Sequence, residues 1–429
     1  MTLRFKSCLT LAASLSGLCA SAFGSAGVAW AQSVVPGQSV ADRPHPDYDP
    51  VGHHVGGFTL FPALQTSIDA TDNYRATNTN KEGDVYLTLQ PNVRLRSNWT
   101  RHRLDLTGYV SRSFHFSQST ENISQYGTTA TGVYDISRRT AVRVDVAATR
   151  GAESRASLGS FRGAAEPVRF DNFRAGVALT QDFDPLAVDL LFSVERVNYH
   201  DAEIAGGGVA DQDFRDVDIV TTGGGVRYDL QNGVSLVASA RYQQNSYDFG
   251  PDSAGFNPLL DIDRRSSGFT LLGGVSLELT KLLTGYVQVG YLGRDYRDAR
   301  LRDLNGLSFD ANLLWNVTPL TSIRLRGSRS IDETSSQLSA GNTRTDVSLR
   351  VDHELYRNLI LNADTSFTHF SPNGVGFGGD EYGVGVGARY LMNRRYSFTA
   401  NLRYTHRSSE SAFLRYGAFA AGIGLRVAF

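Results

Sequence analysis

From Phe58 to Phe429 the chain repeats one unit: a stretch in which apolar and polar residues alternate, a turn or loop, and the alternation again. Val85, Leu87, Leu89, Val93 and Leu95 alternate with Tyr86, Thr88, Gln90, Asn92, Arg94 and Arg96. Leu307, Phe309, Ala311, Leu313 and Trp315 alternate with Ser308, Asp310, Asn312 and Asn316. Successive side chains of a strand point to opposite faces, so each stretch predicts a strand with one apolar and one polar face. The connections sort themselves as well. Every other one is short, such as 99–102, 137–140, 183–185 and 230–233, and those between are mostly long and polar, such as 151–166, 200–215 and 248–265. Asn232-Gly233 and Asp184-Pro185 supply turn chemistry in two of the short ones. A soluble sandwich has no reason to sort its connections this way. An up-and-down barrel in an outer membrane does, with turns in the periplasm and loops outside.

The predicted fold is therefore all-β: a transmembrane, antiparallel, up-and-down outer-membrane β-barrel over 57–429. The expected count is 18 strands, with 16 as the alternative, the first at 58–72 and the last at 412–429. The stretch 216–229 fits least well, because Val217 and Ile219 are out of phase with Val226 and Tyr228. A β-bulge would reconcile them. Beyond the leader no run of 18 apolar residues occurs, which excludes a membrane-spanning helix and leaves a barrel open. Aromatics near strand ends (Trp99, Tyr109, Phe114, Tyr286, Tyr291, Trp315, Tyr390, Tyr396, Phe413, Phe429) are expected to form two girdles at the membrane interfaces.

The two ends of the sequence agree with this picture. Residues 1–31 read as a cleaved signal peptide: Arg4 and Lys6, an Ala- and Leu-rich run, then Ala29-Trp30-Ala31. Both cysteines, Cys8 and Cys19, lie in that leader. The exported chain would have no disulfide, and a closed sheet in lipid is an alternative source of stability. The full chain carries a formal charge of −1, and loss of Arg4 and Lys6 would make it −3. That offers no basic excess for nucleic acid. Residues 32–56, with Pro36, Pro44, Pro46 and Pro50, read as a flexible periplasmic arm, too short for a plug domain. His45, His53 and His54 with Asp47 and Asp49 match no metal-ligand spacing, and no metal or cofactor is expected. At the other end Phe419, Ile423, Leu425, Val427 and Phe429 share one face. This set is expected to be the signal read by the barrel-assembly machinery, on a C-terminus returned to the periplasm.

The stretch from Phe58 to Leu106 resembles the start of the outer-membrane barrels called beta-barrel porin 2-like. The likeness rests on Phe61-Pro62, Asp72-Asn73-Tyr74, Asp84 opening the second strand, Pro91 within it, and Ser97-Asn98-Trp99 leading to His102. The repeated strands and terminal Phe extend it over the rest of the chain. The resemblance implies an outer-membrane barrel of a Gram-negative cell. Some members of that family are associated with exopolysaccharide or capsule production.

An 18-stranded barrel is too wide for side chains alone to fill, so a water-filled lumen is expected. The residues expected to face it are Arg94, Arg96, Asp105, Tyr109, Arg143, Asp145, Asp189, Asp310, Arg324, Arg326, Asp346, Asp364 and Arg403. Their mixed signs suggest weak ion selectivity, or a lumen narrowed by ion pairs. The leading functional expectation is a passive, porin-like pore for small hydrophilic solutes. The alternative is an export channel or accessory for polysaccharide, with inward Tyr86 and Tyr109 stacking on sugar rings. An enzyme is not expected: His115, His353, His369 and His406 are scattered over distant strands, and no nucleophile motif accompanies them. Expected partners are outer-membrane lipid, the assembly machinery, and small solutes or polysaccharide. Three long loops, 151–166, 200–215 and 248–265, are candidates to fold into the lumen.

Overall fold

A computed structural model describes residues 38–259, 261–279, 282–332, 339–374 and 376–429, so the expected leader lies outside the described residues. Eighteen strands form the wall. They are β1 Phe58–Thr71, β2 Asp84–Ser97, β3 Arg103–His115, β4 Ser124–Asp135, β5 Thr140–Ala152 and β6 Arg169–Asp182. Then come β7 Leu186–Tyr199, β8 Val217–Asp229, β9 Val234–Tyr247, β10 Ser266–Leu279, β11 Leu283–Tyr296 and β12 Leu304–Thr318. The wall ends with β13 Thr321–Asp332, β14 Ser339–Tyr356, β15 Leu359–Gly374, β16 Gly379–Leu391, β17 Tyr396–Ser409 and β18 Tyr416–Ala428. Each strand pairs antiparallel with the next, and β18 returns to β1 from Ala63↔Ala428 to Thr71↔Ala420. The last residue joins that seam: the Phe429 amide donates to the Pro62 carbonyl at 3.1 Å. A closed ladder leaves no strand edge unpaired, the condition for placing a sheet in lipid.

Burial is inverted relative to a soluble protein. Ile68 is 56% exposed and its neighbour Asp69 6%; Val289 is 63% exposed and Gln288 3%. The apolar set faces lipid and the polar set faces inward. Crossing the hydrocarbon core takes about 9–11 residues of tilted strand, so the wall strands extend beyond it.

Two of the short turns show why their residues are there. Asn232 and Gly233 both have positive φ, 62° and 74°, as a type I′ hairpin turn requires. A Cβ on Gly233 would also run into the Glu278 carbonyl. Pro91 marks an interruption: β2 pairs with β3 at Leu89↔Arg112 and again at Asn92↔Tyr109, with no pair at Gln90 or Pro91. Proline has no N–H to give the ladder.

Three expectations change. The register of β8 runs unbroken from Val217 to Asp229 against β9, so the anticipated bulge is absent. Val217 and Ile219 instead point inward, where Val217 sits opposite Tyr247, both 6% exposed. Two proposed girdle residues, Tyr109 and Tyr286, share their face with the inward neighbours Asn92 and Asp310. The exposed aromatics Trp99, Tyr134, Trp315, Tyr356, Tyr390 and Tyr396 sit at the end of the barrel with the short turns, here the turn end. Tyr126, Tyr242, Tyr291, Tyr382, Tyr404 and Phe419 sit towards the loop end. Finally, residues 38–55 do not form a free arm. His53–Val55 pairs with the start of β1, and the segment before it docks inside the barrel.

Candidate functional site

The thirteen residues expected to face the lumen all lie on the inward face by strand register. Their charges are largely used within the wall. Asp105 is shared by Arg94 at 2.9 Å, Arg96 at 3.3 Å and Arg103 at 3.4 Å. Arg143 meets Asp145 at 2.6 Å, Arg344 meets Asp346 at 2.6 Å, and Arg403 meets Asp364 at 2.8 Å. Asp189 accepts from Thr180 Oγ1 at 2.6 Å and Asp310 from the Tyr286 hydroxyl at 3.3 Å. Arg324 pairs with Asp42 of the arm at 2.9 Å. The Tyr109 ring crosses Gly127, where a Cβ would come within 2.7 Å of it.

The wall also carries inward arginines without such a partner. Among the described residues, no carboxylate lies within ion-pair distance of Arg174, Arg241, Arg326, Arg389 or Arg426. Arg389 instead donates to the Ala41 carbonyl at 2.6 Å. The inner wall is thus a set of ion pairs with several guanidinium groups, and the carboxylates of Asp69, Asp189 and Asp310, outside such pairs.

At the turn end the lumen receives the N-terminal arm. The Val40 amide donates to Ser322 Oγ at 2.8 Å, and Val40 and Ser39 are fully buried. Arg43 donates to the Pro319 carbonyl and to Asn316 Oδ1. His45 lies 3.9 Å from Glu354, and Arg394 donates to the Pro46 carbonyl at 3.0 Å. These contacts run from β12 to the turn before β17, so the arm lies across one sector of the opening. His45, His53 and His54 are used separately: the His45 amide donates to Asp49, and His54 contacts Thr59 at 3.1 Å.

At the loop end the β5–β6 loop, 153–168, reaches its neighbours on both sides. Arg155 pairs with Glu121 of the β3–β4 loop at 2.7 Å. Glu153 pairs with Arg215 of the β7–β8 loop, both nearly buried. Arg162 reaches past the β3–β4 loop to the Ala76 carbonyl at 3.3 Å. Burial, and next the charge of inward-facing Arg407, pulls the Arg162 guanidinium below its usual range. Ala164, Val168 and Ala202 form a small apolar core with Phe161, Tyr199 and Ala210 around them. Burial raises the Glu153 carboxyl despite its arginine. Asp216, just before β8, is pushed up to about 6, chiefly by burial, while the Tyr199 amide bonded to it at 2.7 Å pulls the other way. Of the three candidate loops, this first one makes the widest set of contacts.

The histidines do not assemble a catalytic group. His115 faces inward and contacts Asp84 at 2.8 Å, whereas His353, His369 and His406 lie on the lipid-facing side of their strands. The terminal set Phe419, Ile423, Leu425, Val427 and Phe429 shares that outer side, with Phe419, Ile423 and Phe429 well exposed. The docking of the arm and the pairing of Glu153 with Arg215 carry no periodic signal in the sequence, and reasoning from it missed both.

A search of curated proteins finds no match. Among solved structures, the chain resembles the Acinetobacter baumannii siderophore receptor PirA, with TM-score 0.48 and 8% identity over 86% of this chain and 80% of that one. It resembles a BenF-like porin from Pseudomonas fluorescens Pf-5, with TM-score 0.47 and 12% identity over 88% and 100%. It also resembles Acinetobacter baumannii OccAB3, with TM-score 0.44 and 11% identity over 87% and 100%. At these levels none of them speaks to cargo. The family profile described as "Putative beta-barrel porin 2" matches residues 45–429, nearly the whole described chain, and the chain belongs to that family.

Proposed function

We propose that this barrel is a passive channel for small hydrophilic solutes, with a preference for anions. The observation that carries the reading is the inner wall: a closed sheet whose inward face is polar, with uncompensated arginines at Arg174, Arg241, Arg326, Arg389 and Arg426. A wall needed only for wetness could be uncharged. Guanidinium groups left without carboxylates offer transient sites to carboxylates or phosphates. No catalytic step is part of the reading. The orientation proposed is the usual one, turns and C-terminus in the periplasm and loops outside, after removal of the leader. The exposed terminal residues Phe419, Ile423 and Phe429 would then be available to the assembly machinery.

The test is solute entry into liposomes holding the folded protein. Swelling in small sugars and faster swelling in small organic anions is expected. Absence of swelling with a correctly folded barrel would reject the channel.

Polysaccharide export remains a second reading because Tyr109 lies on the inner wall beside Gly127, and an inward ring can stack on a sugar. Tyr86 is less suited, since His115 already stacks on it at 4.6 Å. A deletion strain with unchanged surface polysaccharide removes this reading.

A further inference from the structure

The outer wall carries a groove that the channel reading does not use. It lies on the lipid-facing side of β2 to β7 and encloses about 790 Å³, within the range of roughly 300–1,000 Å³ usual for small-molecule sites. Its shape follows from one transverse row of side chains. Val93 pairs with Gly108, Gly108 with Thr128, Thr128 with Ala148 and Ala148 with Phe173. The three middle members are small and the two ends bulky, so the row forms a trough across the wall. Pro91, at the break in the ladder, lines it as well.

The next row towards the loop end runs Val110, Tyr126, Arg150, Asp171 and Asn198 in consecutive register, and from Tyr126 onward it forms a polar rim. Arg150 uses Nε and Nη2 on Asp171, at 2.6 and 2.5 Å, which leaves Nη1 outside that pair. Its guanidinium lies 5.6 Å from the centre of the Tyr126 ring. Arg112 stands in the register above Val110 and donates to Ser124 Oγ at 2.5 Å. Among the described residues it has no carboxylate partner. Other outward arginines of the wall are Arg169 and Arg196 on this same arc, with Arg329 elsewhere. Lipid-facing charge is least costly near the interface, and among the described residues four of the five outward arginines of the wall, Arg112, Arg150, Arg169 and Arg196, lie on this one arc.

We propose that this groove binds a phosphorylated, multiply acylated glycolipid of the outer leaflet. One acyl chain fills the trough over Gly108, Thr128 and Ala148. A phosphate sits between Arg112 and the free side of Arg150, the planar donor arrangement suited to it. Asp171 and Asn198 face the sugar hydroxyls. The proposal uses the orientation given above, loops outward, but does not require that the lumen conduct.

The test is native mass spectrometry of the folded barrel titrated with bisphosphorylated lipid A, and separately with phosphatidylglycerol. A lipid A adduct is expected at concentrations at least tenfold below those needed for phosphatidylglycerol. Arg112→Ala should weaken it about tenfold and Arg329→Ala leave it unchanged. Gly108→Leu should abolish it by filling the trough. A Cβ at Gly108 would meet only Val93 Cγ1, at 3.8 Å, and the Gly127 carbonyl, at 4.0 Å, so the substitution fits the wall. Heat-modifiable gel mobility confirms that each variant is folded, and Arg112→Ala alone suffices should Gly108→Leu not fold. Equal binding of the two lipids, wild-type binding by Arg112→Ala or folded Gly108→Leu, or a dimer that covers the groove and excludes lipid would each overturn the proposal. Failure of conduction alone would leave it standing.

Discussion

The segments at the two ends of the barrel are held by different chemistry. At the loop end, Glu153 with Arg215 and Glu121 with Arg155 are ion pairs withdrawn from water, supported by the apolar contacts of Ala164, Val168 and Ala202. At the turn end, the arm is held by hydrogen bonds to backbone and hydroxyl groups and by the part-buried pair of Asp42 and Arg324, with Val40 as its buried apolar anchor. Removing one partner of a buried pair leaves an uncompensated charge, whereas the arm is held mainly by bonds to neutral backbone and hydroxyl groups, each contributing roughly 0.5–1.5 kcal/mol. The loop end should therefore be a fixed constriction and the turn end a releasable one.

The largest effect that would test this contrast is on conductance. Deleting residues 38–50 should raise single-channel conductance severalfold while thermal unfolding of the barrel barely changes. Unchanged conductance would mean that the loop end alone limits flow. Next comes Arg215→Ala, which strands Glu153 and should cost the local loop structure about 3–5 kcal/mol. Limited proteolysis within 153–168 should appear, with the arm still protected. Adding Glu153→Gln should restore part of that protection, and if it does not, the pair is not what orders the loop. A smaller effect is expected from Arg324→Ala, because this pair keeps contact with water on both sides and such a pair contributes roughly 1 kcal/mol. Open probability should rise a fewfold, measured on single channels, and a change as large as the deletion would make this pair the sole latch.

The smallest effect concerns pH. The folded-state value for Asp216 is about 6, above the ordinary 3.8, so the ordered β7–β8 loop gains stability as pH falls through about 6 towards 3.8 and loses it as pH rises through about 6. Hydrogen exchange across 200–216, corrected for intrinsic rates, should show more protection at pH 5 than at pH 7.5. Asp216→Asn should remove that difference. The arm should show no matching change, and a parallel response at both ends would erase the distinction between them.

Much of the wall was legible in the sequence because strand facing is a local property. Arg94, Asp105 and Arg403 could be assigned to one side by counting residues, and Asn232-Gly233 announced its turn. What failed was long-range. Val40 meets Ser322, 282 positions away, and a segment without periodicity gives no sign of where it docks. Glu153 and Arg215 are likewise joined by loop packing alone. Val217 and Ile219 misled because inward was equated with wet. Near the loop end the inward face is covered, so Val217 and Tyr247 pack there as they would in a soluble core. Tyr109 and Tyr286 misled in the opposite sense: amphipathic rings suit an interface, but parity along the strand places them on the inner wall.

The most direct measurement is the current through single reconstituted barrels in a planar bilayer across a salt gradient. Steady open steps, with a reversal potential displaced towards that of the anion and moved back by Arg241→Ala and Arg326→Ala together, are the predicted result. A barrel that is folded, remains silent, and stays silent after removal of the arm would contradict the account.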